Sequence, residues 1–592
     1  MIDALQPVLD SADVRTNQTA NAPVAPIRRL RRCGPFVVAI MILAAVLLSG
    51  HRGLFGVRLA EAPGLTLDEG FNVAMGVYTV RSLQQDGLGS LHPDTVKDVY
   101  GSPNYNPDHP PLGRWALGFV HEWLTDPRAQ VAFNEFDARP ASAIAYALTV
   151  LVIGWFLQKW FGPTAGTLAA ICVAILPRQF GHAHLASLET FIGLAYVTCV
   201  MVTADRCRPA ENSTGWKAFA LAGVFFGLAL LTKIQAVFLG PAVGFWALTQ
   251  WRWKAIPRVA LFGAVGLLVF FAGWPWLWLD PVGHFKEYFA RTTERQTLYC
   301  YYWGTRWADA DVPRHYPWVM TAVTVPIGLL FLAAWGLFSG RVLREGEAPA
   351  EPQTLPSSAV PKGNNGGRQV TDAPRGPAKW LKIDPRIQLT LWAIAIPLLV
   401  FTKPGIRIYD GERLFGVVFP LIAGLAGIGA AAMLHRFPGR AARVVLALLL
   451  AGQAWGLVAM NPFQLSYYNA LVGGFGGADR LGFERSYWME GLTESFQREI
   501  VDKVPRGGRI DVAPVLHPVY LPHLLDVSPT LQGANLTLGA YDDKQAGGSR
   551  YVLLFHRKAD PWASLTPPPE GTKVLLETKR AGVPLVTLFE LP

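Results

Sequence analysis

Two short clusters in one polar stretch hold the residues best suited to chemistry. They are Leu67-Asp68-Glu69-Gly70 and Asp108-His109-Pro110-Pro111-Leu112-Gly113-Arg114. At a membrane surface two adjacent carboxylates can act as a general base, a metal ligand or a helix N-terminal cap. The cap is a strong alternative, because Asp ahead of Phe71–Leu83 is what a helix start favours. Further on, Arg178-Gln179-Phe180-Gly181-His182-Ala183-His184 leads to Glu189. His182 and His184 with Asp68 or Glu69 would suit a divalent metal; more commonly such histidines satisfy local polar groups. Cations also gather at Lys403, Arg407 and Arg413. Arg grips phosphate oxygens in bidentate fashion, and snorkelling to lipid headgroups is the bland alternative. Tyr301, Tyr302 and Trp303 add aromatics suited to stacking on a sugar or packing against lipid.

The elements that must position these residues are mostly apolar. The chain has 592 residues, 51% hydrophobic and only 16% charged. Its hydrophobicity is concentrated in runs long enough to cross a hydrocarbon core, for which about 20 apolar residues are needed. The reading gives eleven spans, centred near residues 43, 149, 170, 196, 224, 242, 268, 328, 394, 424 and 451. Arg28, Arg29, Arg31 and Arg32 precede the first span and place the N-terminus in the cytoplasm. A cleaved signal peptide is the alternative for this end, and it leaves the remaining sidedness unchanged. Alternation then places the Asp68 loop and everything after Met460 outside, in the cell (inner) membrane. Against that bias, Arg178, Lys233, Lys403, Arg407 and Arg413 fall in outer turns, which favours a phosphate site over chance. The net charge of +10 mostly reflects the cytoplasmic Arg and Lys and is no argument for nucleic acid. Five cysteines form neither a disulfide framework nor a zinc pattern.

Residues 1–34 read as a disordered cytoplasmic tail, 35–460 as the membrane domain, and 461–592 as an extracytoplasmic α/β domain. Within the membrane domain, 51–139 is a long outer loop and 345–385 a flexible cytoplasmic linker rich in Pro, Gly, Ser and Asn. The outer loop holds a surface helix, with Leu112, Trp115, Phe119, Trp123 and Leu124 on one face and Arg114, Gly118, His121 and Glu122 on the other. A second, weaker helix runs from Phe71 to Leu83. Strands are expected at Arg509–Ala513, Tyr551–His556, Lys573–Thr578 and Leu585–Leu591.

An Asp-Glu pair after the first span, then His-Pro-Pro-Leu-Gly before an amphipathic helix, resembles the protein O-mannosyltransferase family and its aminoarabinose-transferase relatives. That resemblance implies a GT-C type α-helical membrane glycosyltransferase using a polyprenyl-phosphate-linked sugar and inverting the anomeric carbon. It implies Asp68 as the base on the acceptor hydroxyl, with Glu69 as supporting carboxylate. It also gives Glu189 the place of a second acidic residue. Donor phosphate would fall to Arg178, Lys403, Arg407 and Arg413. Substrate contacts would fall to His109, Arg114, Glu189, Tyr301, Tyr302 and Trp303. No cofactor is implied. The partners are the lipid-linked donor, membrane lipids and an acceptor hydroxyl on glycan, lipid or protein. Gly70-Phe71-Asn72 departs from the family's usual residues after the pair, which leaves the acceptor open. A transporter or flippase would also explain many spans and basic edges, yet it predicts repeats or midplane charges. Neither is visible. A non-catalytic scaffold would make Asp68 dispensable.

Overall fold

A computed structural model describes residues 33–126, 132–207, 215–293, 296–339, 383–486, 489–515, 517, 519–542 and 548–592. The expected N-terminal tail and cytoplasmic linker lie almost wholly outside these residues. The chain is mostly helical, and each expected span centre falls within a helix. Among the described residues four stretches are long and apolar enough to cross a membrane: Glu135–Phe161, Ile234–Ala272, Gly416–Arg436 and Arg440–Ala459. Tyr316–Thr324 and Ile327–Leu337, bent by 107° to one another, reach that length only as a pair, as one broken span or a re-entrant loop. Four further apolar helices are only 10–17 residues long. The expectation of eleven crossings therefore rests on apolar segments, several shorter than a span needs.

The Leu67–Asp86 helix starts earlier than the apolar pattern suggests because Thr66 and Glu69 form a capping box. It carries Asp68 and Glu69 in its first turn. The Pro111–Leu124 helix lies against it, and its faces are arranged around that contact. Arg114, Leu117, Gly118 and His121 are buried, while Phe119 and Trp123 are exposed on the side expected to meet lipid. The two helices cross backbone to backbone at glycines. A Cβ on Gly76 would lie 2.2 Å from the Arg114 carbonyl oxygen, and one on Gly118 would lie 2.4 Å from the Gly76 carbonyl oxygen.

Seven strands are present among the described residues. β1 (Tyr299–Tyr302) and β2 (Thr305–Ala308) form a hairpin in the aromatic loop. β3 (Arg509–Ala513), β4 (Thr537–Ala540), β5 (Tyr551–Phe555), β6 (Lys573–Arg580) and β7 (Val583–Glu590) form a mixed sheet in the order β4-β3-β5-β7-β6. β3 runs parallel to β4 and β5, whereas β7 is antiparallel to β5 and β6. Four of these strands match the expected segments to within a few residues. β4 and the hairpin were not foreseen, since each strand in them is only four residues long. The core under the sheet is continuous with the polar loop: Ile510, Val512 and Leu588 share a cluster with Leu65 and Phe136. The sheet therefore packs directly on the segments flanking the Asp68 helix.

Because the two motif helices touch through backbone atoms, Gly118→Val should separate them. Overpacking of this kind typically costs about 1–3 kcal/mol. The expected outcome is a lower unfolding temperature in detergent, measured against Gly452→Val, where a Cβ would meet nothing within 4 Å.

Candidate active site

The two neighbouring carboxylates do different work. Glu69 is fully buried. Its Oε2 accepts from the Thr66 backbone N–H at 3.0 Å and from Thr66 Oγ1 at 2.9 Å. Its Oε1 accepts from the Ala186 N–H at 2.6 Å. Arg139 closes on both oxygens, with Nε at 2.8 Å from Oε1 and Nη2 at 2.9 Å from Oε2. Arg139 also donates to the carbonyls of Pro63 and Gly64. With both oxygens so occupied, Glu69 is a clamp that fixes the helix start. Asp68 sits about 100° around the helix and remains 31% exposed.

Asp68 ends on the Arg413 guanidinium, the hub of a buried network. Arg413 Nε also donates to Glu189 Oε1 at 2.6 Å, and its Nη1 lies 3.2 Å from Asp410 Oδ2. Lys233 Nζ shares Glu189 Oε1 at 2.6 Å. The second Glu189 oxygen is buried and has no hydrogen-bond partner among the described residues. On the far side Arg557 joins Asp410 at 3.0 Å and Asp560 at 2.7 Å, tying the C-terminal sheet region to the site. Burial would push the Arg413 guanidinium down, but Asp68 and Glu189 carry it well above its ordinary value, so it stays charged.

The other expected residues divide between this network and its supports. Arg178 is only 2% exposed; it pairs with Glu412 and donates to the Tyr467 carbonyl at 3.0 Å. Arg114 is equally buried and braces the loop, reaching Asp108, the Asn106 carbonyl at 2.7 Å and Asn72 at 3.3 Å. Arg407 pairs with the buried Asp309 at 3.2 Å, and Lys403 is exposed. Burial pushes the His109 imidazole down to about 3; Asp108 opposes this, while Arg114, Lys233 and Arg413 reinforce it. His182 is pushed down to about 4 in the same way, with Glu189 opposing. His184 meets Ser49 Oγ and the Phe180 carbonyl oxygen, each at 2.8 Å, so it satisfies local polar groups. Among the described residues no three His, Cys, Asp or Glu side chains are grouped to hold a metal ion.

In the aromatic hairpin Tyr302 is buried against Tyr316 and Phe483, Tyr301 lies under the Lys558 ammonium, and Trp303 is exposed at the turn. Asp410 and Arg557 were not identified from the sequence. Asp410 lies inside the Lys403–Arg413 segment, so its proximity was a signal; Arg557 offered none.

Residues 108–276 match the sequence profile of a family described as dolichyl-phosphate-mannose-protein mannosyltransferase. The match takes in the His109–Arg114 motif, Arg178, Glu189 and Lys233, and leaves Asp68 and Arg413 outside it. The chain thus resembles GT-C glycosyltransferases over the region that supplies much of the site. No curated protein sequence matches the chain. Among solved structures, ArnT from Cupriavidus metallidurans in the apo state is similar at 14% identity and a TM-score of 0.46, covering 94% of this chain and 97% of that one. The Archaeoglobus fulgidus oligosaccharyltransferase in the apo form gives 12% identity and 0.41, with 87% and 65% covered. The S. cerevisiae Pmt1-Pmt2 complex bound to the sugar donor gives 18% and 0.30, with 46% and 38% covered.

Two outcomes follow from this geometry. Breaking the desolvated Glu69–Arg139 pair should cost about 3–5 kcal/mol. Glu69→Ala and Arg139→Ala should therefore lower thermal stability in detergent far more than Asp68→Asn does. The histidines set the sign of the acid response. Their folded values lie below the ordinary ~6.5, so between about pH 6.5 and 4 the unfolded chain binds protons that the folded one does not. Stability is then fully present above about 6.5 and falls as the pH falls. Unfolding temperatures measured from pH 7 to 5 should decline, and His109→Gln should flatten the slope.

Proposed function

We propose that the protein is an inverting glycosyltransferase that moves a sugar from a polyprenyl-phosphate carrier to an acceptor hydroxyl at the outer membrane face. The observation that carries this reading is Asp68, a half-open carboxylate held over the buried cations Arg413 and Lys233. The family match across residues 108–276 supports it.

In this reading the acceptor oxygen attacks the anomeric carbon from the side opposite the phosphate. Asp68 takes the hydroxyl proton, a new C–O bond forms, and the bond to the carrier phosphate breaks. Such a base typically contributes about 10²–10⁴-fold. The departing phosphate needs positive charge more than a proton, and charge held away from water is worth more than in water. Arg413 and Lys233 supply it. A donor phosphate competes with Asp68 for Arg413, so donor binding loosens the contact that keeps the base occupied. Glu189 keeps both cations aligned. The acceptor side faces outward under this orientation, in the cell (inner) membrane with the N-terminus in the cytoplasm.

Purified Asp68→Asn should keep its affinity for polyprenyl phosphate and lose about two orders of magnitude or more in turnover. Arg413→Gln should weaken that affinity roughly tenfold to a hundredfold, as expected for a charge-assisted bond of about 1.5–3 kcal/mol. Near-normal turnover of Asp68→Asn would remove Asp68 as the base. Unchanged carrier affinity in Arg413→Gln would remove Arg413 from the donor site.

A further inference from the structure

Asp410 stands between two guanidiniums. Its Oδ2 lies 3.2 Å from Arg413 Nη1, and its Oδ1 lies 3.0 Å from Arg557 Nη2. All three side chains are at most 10% exposed, so water screens these charges little. Asp410 and Gly411 both take a left-handed backbone, with φ of 52° and 67°, and Asp is among the few side chains that tolerate it. Arg557 arrives from 147 positions along the chain, just past β5. The segment that carries it is anchored through its own backbone. Glu484 accepts from the Lys558 and Ala559 N–H groups at 2.8 and 2.7 Å, and the Ala559 carbonyl accepts from Arg306 Nε at 2.6 Å.

Each nitrogen of the Arg413 guanidinium faces a carboxylate: Nε that of Glu189, Nη1 that of Asp410 and Nη2 that of Asp68. A phosphate approaching Arg413 therefore competes with three anions for one cation. Glu189 divides its charge between Arg413 and Lys233. Asp410 divides its charge in the same way, between Arg413 and Arg557. Asp560 holds Arg557 Nε at 2.7 Å, which leaves Nη2 presented to Asp410. Arg557 thus draws part of the Asp410 charge away from Arg413.

We propose that Arg557 is a positioning residue of the donor site: by holding the second oxygen of Asp410 it sets how readily Arg413 turns to a lipid-linked phosphate. This role rests on the glycosyl-transfer reading and gives the C-terminal part of the chain a share in it. The two partners act with opposite sign. Asp410→Asn removes an anion that competes with phosphate, while Glu189 and Asp68 still hold Arg413 in place. Asn also tolerates the left-handed turn, so the backbone is kept. Arg557→Gln leaves Asp410 with Arg413 as its remaining guanidinium, which tightens that pair at the expense of phosphate. A brace that served only to stabilise the fold would give a loss in both variants.

The test is the affinity of the full-length protein in detergent for undecaprenyl phosphate, read by thermophoresis and normalised to folded protein. Arg557→Gln should weaken binding by about three- to tenfold and Asp410→Asn should tighten it by a similar factor, as expected for coupling between touching charged groups. The double variant should return close to the wild type, because it removes one charge of each sign. Arg557→Lys keeps the charge and should recover most of the loss. Arg509→Gln, which removes a cation of the same sheet that pairs with Asp511 instead, should leave affinity unchanged. Weaker binding in Asp410→Asn, or unchanged binding in Arg557→Gln, would overturn the role of Arg557 and leave the donor site standing. Wild-type protein that does not bind undecaprenyl phosphate would refute the transfer reading itself, and this role with it.

Discussion

The polar loop and the segments packed on it are arranged around the desolvated pair of Glu69 and Arg139. A carboxylate and a guanidinium removed from water are stable only when their remaining lone pairs and protons are satisfied. Here the chain's own backbone does that. Thr66, Ala186, Pro63 and Gly64 all contribute a group, so three separate stretches, residues 63–69, Arg139 and Ala186, are drawn to one point. Once the start of the Leu67–Asp86 helix is fixed, helical geometry leaves Asp68 partly exposed and in reach of Arg413.

A second set of charges depends on that placement. Arg413 gathers Asp68, Glu189 and Asp410, and Asp410 passes the connection on to Arg557 in the C-terminal part of the chain. Each link is buried or half-buried, so water screens it little and the loss of one partner strands another. The C-terminal sheet is thereby coupled to the Asp68 loop twice, through this ion-pair chain and through the apolar cluster joining Ile510 and Val512 to Leu65 and Phe136.

The Pro111–Leu124 helix shows how two solvents can shape one element. Its aromatic side, with Phe119 and Trp123, is exposed where lipid is expected. Its polar and small side is buried against the Leu67–Asp86 helix. A polar face is therefore the inward one. In that position His121 and Arg114 find partners, and Gly118 permits an approach that a larger residue would block.

The amino-acid order alone determined whatever depends on local periodicity. The apolar segments, the helix start ahead of Phe71, the surface helix over 111–124 and four of the five strands of the sheet follow from side-chain pattern and turn residues. β4 and the β1–β2 hairpin escaped because a four-residue strand carries too few alternations, so its neighbours decide it. Asp68 and Glu69 could not be told apart in the sequence, since both are acids in the first turn of a helix. Only the position of Arg139, far along the chain, buries one and leaves the other half-open. The basic residues of the turns between apolar segments divide in the same manner. Arg178 and Arg413 are alike in type and placement, yet Glu412 and the Tyr467 carbonyl draw one beneath the site, while Asp68 and Glu189 hold the other within it. Burial and charge pairing join residues hundreds of positions apart, and no local pattern encodes such a contact.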